Sequence, residues 1–315
     1  MIRYTLGRCG RACITIFLVL SIVFLLMRLM PVDTYFQGRS DTMTDTLKEN
    51  ILRGLGLLDP WYVALPNFWK NLLLHGDLGE SIVMRVGVPV TKVIWPKAVV
   101  SFQFGIISLA IQLVIGMPLG VLMARKKGGI IDKAGNLYVL LINSLPQAVY
   151  FLLIQLYLST LLGLPMLFKS SVPSSRILPI ICLSLGGIAS NAMWMRRYMV
   201  DQMNQDYVKL AMAKGVSRKR IMTHHIFRNA VVPMVQTIPG SLLLTIMGSL
   251  YVESIYSVPG MGGLLINVIQ RQDNTMVQAL VLIFAALGIV GLFLGDLLMV
   301  LVDPRISLNR GEGSR

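Results

Sequence analysis

Cysteine, histidine and acidic residues are scarce in this chain: 3 Cys, 3 His and 15 Asp plus Glu among 315 residues, against 29 Lys plus Arg. Each scarcity excludes something. Cys9, Cys13 and Cys182 do not make a disulfide framework. Cys9 and Cys13 stand one helical turn apart and read as small helix-packing side chains. His75 is alone, and the adjacent His224 and His225 point to different helix faces, so no His/Cys/Glu cluster has metal-site spacing. There is no glycine-rich phosphate loop of P-loop form, so the chain does not cradle ATP itself. No catalytic constellation emerges. The expectation is a non-catalytic protein with no metal and no bound cofactor.

What is abundant is apolar. Such residues make up 55% of the chain, and the mean hydropathy is +0.68, far from an ordinary soluble domain. Six charge-poor runs stand out: 12–27, 98–124, 134–168, 177–195, 229–252 and 274–295. A spanning helix needs about 20 apolar residues. The first run is short, but Arg28 can snorkel, and Leu29 and Met30 extend it. In the third, Pro146 and Pro165 mark bends or ends. The expected fold class is an all-α integral membrane protein with six transmembrane helices in the lipid bilayer.

The basic residues set its orientation. With the N-terminus inside, the inner segments hold most of the Lys and Arg, including Arg3, Arg8 and Arg11, 125–127, Arg196 and Arg197, and 218–220. The first outer loop, 31–97, is nearly neutral. Both termini then face the cytoplasm. The net charge of +14 follows this asymmetry, and no aromatic-interleaved basic groove is present, so nucleic acid is not an expected partner. The basic-then-apolar start resembles a signal peptide, but LMRLMPVDTY follows in place of a small-x-small cleavage site, so an uncleaved first helix is expected. The chain divides into 1–30, the outer loop 31–97 with one or two interfacial helices, a five-helix core 98–305, and a tail 306–315.

The most informative stretch is 206–233, DYVKLAMAKGVSRKRIMTHHIFRNAVVP, polar and basic between apolar runs. It reads as helix, turn, helix. Tyr207, Leu210 and Ala211 share a helical face. Gly215 supplies a left-handed turn, and Ser217 is placed to cap the next helix. By pattern alone this is either a docking knob or a basic hairpin resting on anionic headgroups.

This stretch resembles the EAA loop of ATP-binding-cassette importer permeases, in the form found in the dipeptide/oligopeptide/nickel branch. Tyr207, Ala211, Ala213, Lys214 and Gly215 carry the first half of that form; His225, Arg228, Asn229, Ala230 and Pro233 carry the second. Lys209 and Leu210 replace the first two letters of the general motif. Further matches are GDLGES at 76–81, Val88-Pro89-Val90, Asp132, Ser144-Leu145-Pro146, Val252-Glu253 with Pro259, Gly260 and Gly262, Asp296, and 303–305. The resemblance runs from the first helix to Arg305. It implies a type I importer permease fold, of the permease type with a long outer loop. A second homologous permease, two cytosolic ATPase subunits that use ATP and Mg, and an extracytoplasmic solute-binding protein are its implied partners. The 207–213 helix would sit in a groove of one ATPase.

Other readings stay open in the residues. Glu253, with Pro259, Gly260 and Gly262, forms a pathway or gate element, or lies at the headgroup boundary. Pro146 is a pathway bend or a packing kink. Gly116 and Gly120 form a small-xxx-small pair for close helix approach. Asp296, set among apolar residues, calls for a partner, the bundle interior or a place near the inner interface. The competing functions are an ion-gradient-driven secondary transporter and a membrane anchor that recruits a cytosolic protein.

Overall fold

The structure is a computed structural model that describes residues 2–29, 36, 43–54 and 57–302. The 303–305 motif and the tail lie outside the described residues, as does part of the outer loop. Helix α1 (Ile2–Arg28) is followed by α2 (Asp45–Gly54) and α3 (Trp61–His75). A two-residue antiparallel ladder then pairs β1 (Glu80–Ser81) with β2 (Val88–Pro89). Apart from this ladder the regular structure of the described residues is helical, in line with the expected all-α class. Gly87, at the end of the loop that joins the two strands, takes a left-handed φ of +73°, which helps to fold the chain back on itself.

The long helices follow. Helix α4 (Val90–Ile111) passes through a π-helical stretch, Gln112–Gly116, into α5 (Met117–Arg125). After a turn come α6 (Ile130–Ser144), α7 (Gln147–Leu153), a second π stretch Ile154–Leu158, and α8 (Ser159–Leu162). Helix α9 (Ile177–Met203) leads to the knob: α10 (Asp206–Ala213), α11 (Arg218–Arg220), a third π stretch Ile221–Phe227, and α12 (Arg228–Ala230). The chain returns through α13 (Val232–Met247), α14 (Leu250–Ile255), α15 (Met261–Gln270) and α16 (Asn274–Val302).

Among the described residues, four helical stretches are long and apolar enough to cross a membrane: Val90–Arg125, Pro173–Met203, Val232–Ile255 and Asn274–Leu298. The segments Ile130–Ser144 and Gln147–Leu162 make a fifth if taken together, with a bend of 106° between them. The bend has a local cause. Leu145 is extended (φ −90°, ψ 135°) because the following proline ring disfavours helical backbone there. The apolar part of α1, Cys13–Arg28, is shorter than a full span.

Small residues set the helix spacing. A Cβ on Gly120 would stand 2.7 Å from the Met195 Cβ and 3.0 Å from the Arg196 amide nitrogen, so α5 and α9 meet backbone to backbone, as the small-xxx-small spacing predicts. Methionine fills the irregular gaps left around such crossings: Met123, Met195, Met199, Met261 and Met276 are all fully buried. One buried cluster lies at the knob end (Met195, Met199, Val208, Ile226). Another lies at the opposite end (Val90, Met261, Met276, Leu280).

Candidate functional site

The knob is built as one packed unit. Val208 and Ala211 of α10 are buried in the same cluster as Met195 and Met199 of α9 and Ile221, Ile226 and Ala230 of the return segment. The packed face of α10 is therefore centred on Val208 and Ala211. Leu210 departs from the expected shared face and is 56% exposed, next to Met212 at 55%. Tyr207 sits at the edge, where its hydroxyl donates to Gln202 Oε1 at 2.7 Å and lies 3.3 Å from the His225 carbonyl oxygen. His225 is half-buried, so the two halves of the motif touch.

The turn between the halves is a Schellman motif. Val216 N–H donates to the Ala211 carbonyl at 3.1 Å, and Gly215 N–H donates to Met212 at 3.0 Å. Gly215 has φ +73°, and nothing lies within 4 Å of where its Cβ would be. Glycine is required there by the backbone conformation and not by space. Ser217 occupies the capping position, but its side chain makes no cap hydrogen bond; its carbonyl accepts from Ile221 N–H at 3.0 Å instead. Ala213, Lys214, Arg228 and Asn229 are exposed, and Pro233 is half-buried in the first turn of α13, where a missing N–H is harmless. Leu210, Met212, Lys209, Lys214 and 218–220 are all exposed on the knob.

Beneath the knob lies an ion pair that sequence reasoning missed. Arg196, directly after Met195, donates from Nε to Asp132 Oδ1 at 2.5 Å and from Nη2 to Oδ2 at 2.8 Å. Asp132 is buried and also accepts from Gly128 N–H at 2.9 Å and Asn136 Nδ2 at 2.9 Å. The pair ties the start of α6 to α9. Asp132 was visible as a motif residue; nothing in the sequence marked Arg196 as its partner.

At the opposite end, Glu253 is buried and fully engaged. Its Oε1 accepts from the Ser101 hydroxyl at 2.8 Å and Ser249 N–H at 3.3 Å, and its Oε2 accepts from Gly263 N–H at 2.8 Å. A side chain at Gly260 would overlap this carboxylate, and one at Gly262 would stand 2.9 Å from Leu250 N. The VE…PG-x-G element is therefore a tight glycine cradle around one carboxylate. Pro259 is exposed at its rim. Glu253 lines two recesses. One, of about 100 Å³, is lined by Ser101, Ser108, Gln112 and Thr245. The other, of about 340 Å³, is lined by Lys97, Ser254, Ser257 and Asn267. Pro146 is exposed at the helix break and lines neither. Asp296 accepts from Gln236 Nε2 of α13 at 3.1 Å, the partner its setting required.

The GDLGES element wraps a second buried acid that the sequence reading did not single out. Asp273 accepts from the Ser81 hydroxyl at 2.5 Å and from the N–H groups of Ile82, Val83 and Met84 at 3.2, 3.2 and 2.9 Å. The available signal was an acid placed one residue before the last apolar run, at the capping position of α16.

A bundle of long apolar helices carrying a packed two-helix knob defines a class, the multi-pass membrane protein. The family described as "Binding-protein-dependent transport system inner membrane component" matches residues 116–308, and the chain belongs to it. It is 36% identical over 227 residues to the oligopeptide transport system permease protein AmiC of Streptococcus pneumoniae; that match covers 70% of this chain and 45% of AmiC, so the chain spans about half of that relative's length. The dipeptide transport system permease protein DppB of Bacillus subtilis is 30% identical over 312 residues, 98% of this chain and 99% of that one. Among solved structures, a chain of the inward-facing MetNI methionine ABC transporter matches with a TM-score of 0.53 at 16% identity, covering 67% of this chain and 97% of that one. At that identity the likeness speaks for the fold alone.

Proposed function

We propose that this chain is the permease subunit of an ATP-driven importer that moves peptides or similar small solutes into the cytoplasm. The observation that carries the reading is the knob: a packed unit that leaves Leu210 and Met212 exposed together with the cations Lys209, Lys214 and 218–220. Relatives named as peptide permeases support the solute class. The chain crosses the bacterial plasma membrane six times, with α1 and the bent α6–α8 segment as two of the crossings. Both termini and the knob lie in the cytoplasm. One of two cytosolic ATPase subunits receives α10, and ATP and Mg are used there and not by this chain. A second homologous permease completes the pathway, and an extracytoplasmic binding protein delivers the solute.

The mechanism follows from rigidity. Closure of the ATPase pair displaces the knob, and because Val208, Ala211, Met195 and Met199 form one core, α9 moves with it. ATP supplies the difference in binding free energy that shifts the bundle between inward-open and outward-open states. The test is affinity purification of the detergent-extracted subunit, followed by reconstitution of what accompanies it. Recovery of two P-loop proteins and a second permease, with ATP-dependent peptide uptake, is expected. Recovery of the chain alone under conditions that preserve other membrane complexes would overturn the reading.

A further inference from the structure

One lysine stands apart from the rest. Of the described lysines, only Lys48 and Lys97 are not solvent-exposed. Lys48 has Asp45 at 3.7 Å. Lys97, in the second turn of α4, has no ion pair or hydrogen bond among the described residues. It lines the 340 Å³ recess at the end opposite the knob. An ammonium in a half-buried recess with no direct ion-pair partner keeps its donors free for an incoming anion. The recess does hold a carboxylate, Glu253, but that group's Oε1 and Oε2 already accept from Ser101, Ser249 and Gly263. The other polar side chains in the lining are the hydroxyls of Ser254 and Ser257 and the amide of Asn267. The lining therefore offers an ammonium and hydroxyl donors, and the oxygens of its one carboxylate are already engaged by Ser101, Ser249 and Gly263.

We propose that this recess binds the terminal carboxylate of the incoming solute, with the Lys97 ammonium as counter-charge and the Ser254 and Ser257 hydroxyls as further donors. A carboxylate accepting charge-assisted hydrogen bonds from such a set is the chemistry the lining fits. The inference rests on the importer reading and adds to it a point of recognition on the permease itself. Because Glu253 lines both recesses, a solute held there sits beside the element that this recess shares with the smaller one.

The first test needs no transport. In the purified complex without binding protein, acetylation of Lys97 is followed by mass spectrometry in the presence of trialanine or trialanine amide. Trialanine is expected to slow modification of Lys97 several-fold and to leave exposed Lys92 unchanged; the amide is expected to protect neither. Equal rates with both peptides overturn the site. In proteoliposomes, Lys97→Met is expected to raise the half-saturating trialanine concentration about tenfold, the scale of one charge-assisted hydrogen bond, while Lys97→Arg keeps it. Unchanged uptake by Lys97→Met also overturns the site. Protection without any ATP-driven peptide uptake by the wild-type complex would sink the importer reading and leave the site standing.

Discussion

Replacing Asp132 with Asn tests whether the knob's foundation depends on one ion pair. The substitution keeps the shape of the side chain and its contact with Gly128, but removes the charge that faces Arg196. Breaking a fully buried pair from one side costs about 3–5 kcal/mol, whereas exposed pairs contribute about 0.2–1 kcal/mol. Here the Asp132 side chain is 5% exposed and that of Arg196 is 26%. The guanidinium can therefore recover some hydration, which places the loss at about 2–3 kcal/mol. Denaturant unfolding of the detergent-solubilised complex reads the stability, and the ratio of solute taken up to ATP hydrolysed reads the coupling. A double-mutant cycle with Arg196→Gln isolates the pair: a coupling energy near 2 kcal/mol is expected, with both single variants hydrolysing ATP at a lower yield of transport. Additivity of the two substitutions within about 0.5 kcal/mol would show that the pair transmits nothing and refute the reasoning.

Three further outcomes are expected. Gly215→Pro cannot hold φ +73°, since proline fixes φ near −65°, so the complex should assemble and hydrolyse ATP without uptake; normal ATP-driven uptake would remove the knob from the mechanism. Gly260→Ala should expel the Glu253 carboxylate from its cradle and strand the Ser101 and Gly263 donors, lowering thermal stability by about 1–3 kcal/mol per unpaired buried group, as measured by thermal unfolding of the purified complex. Asp273→Ala removes the acceptor shared by Ser81 and the N–H groups of 82–84, so limited proteolysis should begin to cut within 76–90 where the parent chain resists.

Much of this architecture could be read from local pattern. The positive φ of Gly215, the break before Pro146 and the close approach at Gly120 each follow from the stereochemistry of one residue, and each is seen where the spacing placed it. The charge-poor runs likewise locate the long helices, although 134–168 is divided by its bend and 98–124 belongs to a helix that starts earlier, at Val90. What escaped is non-local. The partners in Asp132–Arg196 are 64 residues apart and those in Ser81–Asp273 are 192 apart. Periodicity carries no information about such pairs. Leu210 shows a subtler limit: a face at i, i+3 and i+4 can be drawn in two neighbouring ways, and only the packing of Val208 onto α9 chooses between them.

The π-helical stretch Ile221–Phe227 has a consequence for how this protein tolerates change in length. Each wide turn accommodates one residue more than an α-turn, which shifts the phase of everything downstream by about 100°. Removing a single residue from 221–227 would let the segment close up as ordinary α-helix. The Arg218–Arg220 end of the knob would then be turned by roughly a quarter revolution against α13. The orientation of the knob is in this sense counted out in residues, and a one-residue deletion there should be more damaging than most substitutions on its exposed face.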